Sequence, residues 1–216
     1  MRVAAPQLAH GFVLTLEIAF FGVLGALVVG VIGATMRVST SRSARVAATA
    51  FTEFFRNTPP LVQIYFLAFA VPKIPGIGPH LVLPAIVAAT LGLVLHQGAI
   101  NIEILRAGLQ AVPAGQREAA QALGLSRIDE LRDVLVPQAV RISLPALGNN
   151  VISLFKNTTL VASIGVLDLF GEANDLIAVL LVSAELFLTV GVVYVVCVAL
   201  LGALFRALER RLALAR

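Results

Sequence analysis

Long apolar stretches without charges limit most strongly how this chain can fold. Of its 216 residues, 59% are hydrophobic and only 13% are charged, whereas a soluble domain has about 45–50% apolar and about 25% charged residues. A helix needs roughly 20 mostly apolar residues to cross a bilayer, and several stretches meet that requirement. We therefore predict an all-α membrane protein with about five transmembrane helices, at about residues 11–36, 47–71, 82–105, 142–167 and 183–205.

The distribution of basic residues predicts how these spans are oriented. Twelve of the 16 Lys and Arg residues follow the first, third and fifth stretches, whereas the loop after the fourth is acidic, with Asp168, Glu172 and Asp175. Cytoplasmic loops are enriched in Lys and Arg, so we predict that the N-terminus lies outside and the C-terminus in the cytoplasm. The twelve are Arg37, Arg42, Arg45, Arg106, Arg117, Arg127, Arg132, Arg141, Arg206, Arg210, Arg211 and Arg216.

Residue types that are absent or isolated disfavour several classes of function. The one cysteine, Cys197, lies within the fifth stretch, and His10, His80 and His96 are isolated, so we predict neither a disulfide framework nor a metal site. No Gly-rich phosphate loop ending in Lys-Ser or Lys-Thr occurs, so we expect no cofactor in this chain and no enzymatic activity. The basic residues form no patch with interleaved aromatic side chains, so nucleic acid is not an expected partner.

The chain shows no internal repeat, and residues 1–216 are predicted to form a single transmembrane domain. Many secondary transporters contain inverted repeats, and an odd number of spans without a repeat argues against that architecture. The first stretch is too long for the apolar region of a signal peptide, so we expect it to remain in the mature protein. Within it, Gly22, Ala26, Gly30 and Ala34 recur every four residues, which favours close helix packing.

The longest predicted cytoplasmic connection contains a charged segment, about residues 112–138. Apolar residues recur there near helical spacing, Pro113 and Pro137 bracket the segment, and Gly124 divides it. A glycine supplies the positive φ that a sharp turn between helices needs, so the pattern predicts two short helices at an angle. A helix lying on the bilayer surface fits the periodicity equally well, and the pattern alone does not separate the two.

Five residues of this segment resemble the EAA loop of ABC importer permeases. In that loop, Glu-Ala-Ala is followed by three residues, Gly, nine residues and then Ile-x-Leu-Pro. Glu118, Ala119, Ala120, Gly124 and Pro137 keep this spacing, with Val at the Ile and Leu positions. The resemblance implies a coupling-helix loop that docks into a groove of the cytoplasmic ATPase and links its closure to movement of the spans.

Further segments are similar to the polar amino acid branch of these permeases, which includes histidine, glutamine, arginine and glutamate permeases. They are FRNTPPLVQIYF (55–66), GAINIEILRAGLQAVPAGQ (98–116) and LPALGNNVISLFKNTTLVASIGVLDL (144–169). One departure is Ile100, where the branch usually has Tyr. The resemblance implies a multi-pass permease of the bacterial inner membrane that imports a polar amino acid.

The same resemblance implies a set of partners. Two ATP-binding cassette ATPase subunits would hold ATP-Mg, so that no cofactor is needed in this chain. A second permease chain, identical or homologous, would complete the membrane part. A periplasmic or lipid-anchored amino-acid-binding protein would deliver the substrate.

Two polar clusters interrupt the second and fourth stretches and predict a substrate pathway. Polar groups inside a bilayer are costly and usually face a cavity, a partner helix or a pathway. At a rise of 1.5 Å per residue, both clusters fall near the middle of a core about 30 Å thick. The predicted pathway residues are Asn57, Thr58, Glu103, Lys156, Asn157, Thr158 and Thr159.

Simpler roles remain open for several polar residues within the spans. Glu103 lies toward the inner end of its span, where pairing with Arg106 or Lys156, or a role in a gate, is favoured over substrate contact. Lys156 needs a partner, which is either Glu103 or the carboxylate of a substrate.

Five other polar residues also have two interpretations. Glu53 and Arg56 are spaced i, i+3 and can neutralise each other. Asn150 and its neighbour Asn149 can form hydrogen bonds between helices. Glu17 is either a substrate contact or the partner of a cation on another helix.

Two other functions compete with an ATP-driven permease. An ion-gradient-driven secondary amino acid transporter is the alternative, because Glu103 and Lys156 could serve as a relay. An intramembrane hydrolase is weaker, since no Gly-x-Ser-x-Gly occurs and His96 is the one candidate base within a span.

Overall fold

A computed structural model describes residues 4–76, 81–181 and 183–213. These residues are helical or lie in connections, and none of them forms a strand. Arg2, His80, Arg216 and residues 77–79 lie outside the described part. The helices are α1 (Ala4–Val38), α2 (Arg42–Asn57), α3 (Pro60–Tyr65), α4 (Ala85–Gln110), α5 (Ala114–Ala122), α6 (Arg127–Asp129), α7 (Val136–Asn157), α8 (Leu169–Leu180) and α9 (Ser183–Ala213).

Three of these helices continue directly into turns with different hydrogen bonding. α3 is followed by a π-helical turn, Phe66–Ala70, and by a 3-10 turn, Val71–Lys73. α6 is followed by a π-helical segment, Glu130–Leu135, that runs into α7, and α7 is followed by a 3-10 segment, Thr158–Ile164. Such changes of helical geometry are frequent at functional sites.

Among the described residues, three helices are long and apolar enough to cross a membrane: Ala4–Val38, Ala85–Gln110 and Ser183–Arg211. They overlap the first, third and fifth predicted spans, and each continues past the predicted C-terminal end. The reason is that polar residues at the ends, such as Arg37, remain helical although their hydropathy is low. The second and fourth predicted spans are each divided between an α-helix and the shorter segments that follow it.

The small-residue stripe of α1 packs against α4 and α7, as its spacing predicts. Its four residues are all buried. A Cβ on Gly30 would lie 2.6 Å from the Cβ of Asn101 on α4, and a Cβ on Gly22 would lie 3.2 Å from Leu154 of α7. Larger side chains would therefore push these helices apart.

The prediction of an acidic loop after the fourth span is wrong, because this connection contains a helix, α8. Asp168 caps the helix, since its Oδ1 accepts a hydrogen bond from the Gly171 amide at 2.9 Å. Asp168 and Glu172 are 0% and 8% exposed, and the Thr15 hydroxyl of α1 lies 3.4 Å from Asp168 Oδ2. Hydropathy does not distinguish a buried capping carboxylate from a surface acid, so no sequence pattern indicated this packing.

One apolar cluster joins the C-terminal parts of the two divided segments. Ile18 of α1, Ile64 of α3, Leu93 of α4 and Val161 of the 3-10 segment are buried together. Lipid is as apolar as these side chains, so the cluster stabilises the bundle by packing rather than by removing apolar surface from water.

Candidate coupling and translocation sites

α5 ends in a turn that requires glycine. The Leu125 amide donates to the Ala120 carbonyl at 3.2 Å and the Gly124 amide to the Gln121 carbonyl at 3.0 Å, which is a Schellman motif. Gly124 has φ +73°, a region that residues with side chains rarely adopt. A Cβ there would meet no atom within 4 Å, so the backbone angle, and not lack of space, requires glycine. The predicted turn at Gly124 is confirmed.

This turn has an inner and an outer face. Glu118 and Ala119 are exposed, and Leu123 and Ile128 are 81% and 75% exposed. Ala120 is 3% exposed and faces inward. Apolar side chains exposed together often mark an interaction surface, and the outer face therefore offers apolar contacts beside a carboxylate.

The second half of the segment is not a separate short helix, which corrects the prediction of two short helices. α6 has only three residues, and its path continues through the π-helical segment into α7. Pro137, in the first turn of α7, explains the wider turn, because proline clashes with the carbonyl four residues earlier. The Val136 amide bonds instead to the Leu131 carbonyl. The turn at Gly124 is thus continuous with the long helix α7.

α2 ends at a break that the Pro59–Pro60 pair predicts. Thr58 is extended, with φ −102° and ψ 140°, and α3 starts immediately after Pro59. Gln63 Nε2 lies 2.8 Å from the Phe55 carbonyl and 3.0 Å from the Thr58 carbonyl. The Gln63 amide therefore supplies the donor that the prolines lack.

His96 also belongs to this break, although the sequence suggested an isolated residue. Its Nδ1 lies 3.0 Å from the Phe55 carbonyl and 3.3 Å from Gln63 Nε2. A protonated Nδ1 donates to the carbonyl and ties α4 to the end of α2. One sequence signal could have indicated both Gln63 and His96. A proline pair within an apolar helix leaves backbone carbonyls without amide donors, so side chains nearby must supply them.

α7 ends at Asn157 without a proline. Thr158 begins the 3-10 segment and is fully buried. Its hydroxyl donates to the Phe155 carbonyl at 2.8 Å and lies 3.3 Å from the Tyr194 hydroxyl of α9. Thr158 therefore joins α7 to α9, and its side chain does not face an open space.

The other residues of the two polar clusters are accessible in this chain. Lys156 and Asn57 are exposed, and Thr58, Asn157 and Thr159 are half-buried. The Lys156 ammonium has no ion-pair or hydrogen-bond partner among the described residues. Ionisable side chains of membrane helices usually face the interior of the bundle or a water-filled cavity.

Glu103 pairs with two arginines and not with Lys156. Arg106 Nη2 lies 2.6 Å from Oε2, and Arg37 Nη2 lies 3.1 Å from Oε1. Arg37 also donates to the Thr49 hydroxyl of α2. This ionic junction joins the C-terminal end of α1 to α2 and α4, and it is the pairing role that the sequence favoured.

The i, i+3 pair of Glu53 and Arg56 does not form in the structure. Glu53 instead accepts a hydrogen bond from Asn57 Nδ2 at 2.9 Å. Asn150 acts as a link between helices, as its type predicts, and donates to Asn101 Oδ1 at 2.8 Å. Glu17 is exposed on α1.

Comparison with known proteins identifies the family. A family model described as the binding-protein-dependent transport system inner membrane component matches residues 26–214. This range includes the turn at Gly124 and both helix breaks. The chain belongs to this family. It is therefore an inner-membrane permease subunit of an ABC transport system and not itself an enzyme.

Relatives with known roles are permeases of amino acid transport systems. The glutamine transport system permease protein of Escherichia coli (strain K12) is 35% identical over 209 residues, which cover 97% of this chain and 94% of the relative. The octopine transport system permease protein of Rhizobium radiobacter is 35% identical over 206 residues, which cover 94% of this chain and 84% of the relative. These permeases favour an ABC system over the ion-gradient-driven transporter.

Solved structures agree with this assignment. The crystal structure of an amino acid ABC transporter with histidines matches with a TM-score of 0.88 and 31% identity, over 96% of this chain and 94% of that chain. A methionine ABC transporter in an inward-facing conformation matches with a TM-score of 0.72 and 22% identity, over 93% of this chain and 91% of that chain. The second match supports the fold alone.

Proposed function

We propose that the chain is the permease subunit of an ATP-driven importer for a polar amino acid, which an external binding protein delivers. The glutamine and octopine permeases and the solved amino acid transporter support this substrate class. ATP-Mg is held by partner subunits, and this chain contributes no cofactor.

The exposed turn between α5 and α6 is the observation that carries this proposal. A groove on the ATPase receives Leu123 and Ile128, with Glu118 beside them, so that apolar surface is removed from water when the subunits dock. Because α6 continues into α7, displacement of the turn moves α7, and Lys156 lies in the last turn of that helix. Closure of the ATPase is thereby coupled to the pathway.

The proposed assembly has two permease chains, identical or homologous, two ATP-binding cassette subunits and a periplasmic or lipid-anchored binding protein. Residues 1–216 form one membrane domain that crosses the inner membrane about five times. The N-terminus lies outside and the α5–α6 turn in the cytoplasm, which the arginine distribution supports.

The substrate is proposed to pass along the two helix breaks. The Lys156 ammonium supplies a counter-charge for the α-carboxylate of an amino acid, and hydroxyl and amide groups beside it replace water. Thr158 lies behind this surface, and Glu103 belongs to the ionic junction. The accessible residues proposed to line the path are Asn57, Thr58, Lys156, Asn157 and Thr159.

Reconstitution tests the function. The permease, its ATPase and its binding protein in proteoliposomes should accumulate a labelled amino acid, with glutamine, arginine, histidine and glutamate compared, only when ATP is supplied on the ATPase side. Omission of the ATPase should abolish uptake. Uptake driven by an ion gradient in the absence of the ATPase would show that the chain is a secondary transporter.

Cysteine labelling tests the orientation. In a Cys197→Ser background, Pro75→Cys should react with an impermeant maleimide added outside intact cells. Gln116→Cys, in the α5–α6 region, should react only after the membrane is permeabilised. The reverse pattern would place the turn outside and remove the basis for coupling.

A further inference from the structure

One buried carboxylate reaches both flanks of the Glu-Ala-Ala motif. Glu130 begins the π-helical segment and is 7% exposed. Its Oε1 lies 3.0 Å from Arg117 Nε, and its Oε2 accepts a hydrogen bond from Gln121 Nε2 at 3.3 Å. Arg117 immediately precedes Glu118, and Gln121 immediately follows Ala120. The two partners are spaced i, i+4 and therefore lie on one face of α5.

These contacts act on the half of α5 that bears the motif. At the other end, Gln138 Nε2 lies 3.5 Å from Gln116 Oε1, and Val112, Leu135 and Ala139 form an apolar cluster. That cluster holds the entry to α5 but does not define which side of the helix faces outward. Among the described residues, Glu130 provides the polar contacts that fix the C-terminal half of α5.

We propose that Glu130 is a positioning residue that, through Arg117 and Gln121, sets the rotation of α5 and thereby aims Glu118 and Ala119 at the ATPase. A rotation by one residue, about 100°, would turn Glu118 away and expose Ala120. This inference rests on the proposed coupling function and extends it, because the motif that marks the loop includes neither Glu130 nor Arg117.

An ion pair with one buried partner, Glu130, suits this role for a physical reason. Ala120 is small, so its packing restricts rotation weakly. The Glu130 carboxylate instead holds α5 at two points, because one oxygen accepts the directional hydrogen bond from Gln121 and the other forms the ion pair with Arg117. Removal of one partner of a buried charge leaves the other unpaired, which opposes any rotation that separates them. The exposed pair of Arg132 and Asp133, 2.8 Å apart, lacks this property because water replaces either partner.

Labelling in the absence of the ATPase tests the orientation of α5 directly. In the Cys197→Ser chain, Ala119→Cys should react with a soluble maleimide about tenfold faster than Ala120→Cys, because only the second site is buried. Addition of Glu130→Gln should reduce this ratio to about twofold, while Arg132→Gln should leave it unchanged. An unchanged ratio with Glu130→Gln would overturn the proposal, whatever the ATPase does.

Transport assays with a charge swap test the consequence. Glu130→Gln and Arg117→Glu should each lower substrate-stimulated ATP hydrolysis about threefold to tenfold, as expected for loss of a polar contact to a charged group. The double variant Arg117→Glu with Glu130→Arg should recover to within about twofold of wild type, since the pair is re-formed with reversed polarity. Loss in the single variants without recovery in the double variant would show that the pair is not the cause.

The two levels of the hypothesis fail in different ways. If Gly124→Val leaves hydrolysis and uptake unchanged, the turn does not couple, and the proposed function fails. If Gly124→Val uncouples while the Glu130 and Arg117 variants do not, the coupling function stands and the positioning role falls.

Folding of the labelled chains needs its own control. Ala88→Cys, at a fully buried site of α4, should stay unreactive in folded chains. If Glu130→Gln fails to insert, Gln121→Leu offers the same labelling test with the neutral contact alone removed.

Discussion

The chain changes direction at three places beside a proposed functional surface: the turn between α5 and α6, the break after α2 and the break after α7. The side chains that stabilise these three places differ in charge. The turn combines a positive φ at Gly124 with the ion pair of Arg117 and Glu130. The break in α2 is completed by neutral amide and imidazole groups, Gln63 and His96. The break in α7 is completed by a threonine hydroxyl.

The surroundings explain this difference. An ion pair near water keeps part of its hydration, as Arg117 does with 56% of its side chain exposed. The proposed arrangement places both breaks within the bilayer. A charge there loses hydration at a large cost, so unpaired carbonyls are better satisfied by neutral donors. Two charged residues nevertheless lie beside the breaks, Arg56 in the last turn of α2 and Lys156 in the last turn of α7, and the proposed function assigns the second of them to the pathway.

The largest effect is expected where the turn itself is changed. Gly124→Val should lower uptake about tenfold or more, because strained backbone costs on the order of 1–3 kcal/mol and displaces the docking surface. The spans do not depend on this turn, so insertion should be normal. Copurified ATPase, substrate-stimulated hydrolysis and uptake should be measured on the same membranes.

Two variants control for strain in this experiment. Gly124→Asn should retain most activity, since asparagine tolerates left-handed angles. Gly165 has φ +82°, and a Cβ on it would meet no atom within 4 Å, so Gly165→Val introduces similar strain away from the turn and should leave ATPase association intact. Equal loss of ATPase from both valine variants would mean that strain acts globally.

A smaller effect is expected from the charge at the α7 break. Lys156→Met should lower the rate of substrate-stimulated uptake about threefold to tenfold, as expected for loss of one charged contact, while assembly with the ATPase is retained. Lys73→Met removes the other lysine of the chain, in the 3-10 turn Val71–Lys73, and should transport normally. Normal uptake by Lys156→Met over a range of substrate concentrations would exclude Lys156 from the pathway.

The smallest effect on transport is expected from the neutral groups that complete the α2 break. Gln63→Leu leaves the Phe55 and Thr58 carbonyls with fewer donors and should destabilise the chain by about 1–3 kcal/mol. Thermal unfolding of the purified chain in detergent measures this effect. Gln7→Leu, at an exposed site of α1, is the matched control. Equal melting temperatures for the two variants would show that Gln63 does not support the break.

Much of the candidate site could be predicted because its signals are local. Gly124 requires a positive φ whatever surrounds it, and the Pro59–Pro60 pair ends α2 because proline lacks an amide donor. Three of the five predicted spans overlap helices that are long and apolar enough to cross a membrane, because apolar length is a property of the local sequence. The partners of these features could not be predicted, since Gln63 meets His96, and Arg37 meets Glu103, across many residues of sequence.

By itself, then, the sequence determined that the chain is an all-helical membrane protein, where its helices break, and which segment resembles a coupling loop. These properties depend on hydropathy, proline and glycine, whose effects are set within a few residues. Tertiary structure decided that the acidic connection contains helix α8 with Asp168 and Glu172 buried, that α6 runs into α7, and that Thr158 packs inside while Lys156 stays accessible. It decided these because burial, side-chain capping and ion pairing depend on which helices become neighbours, and no local pattern specifies that.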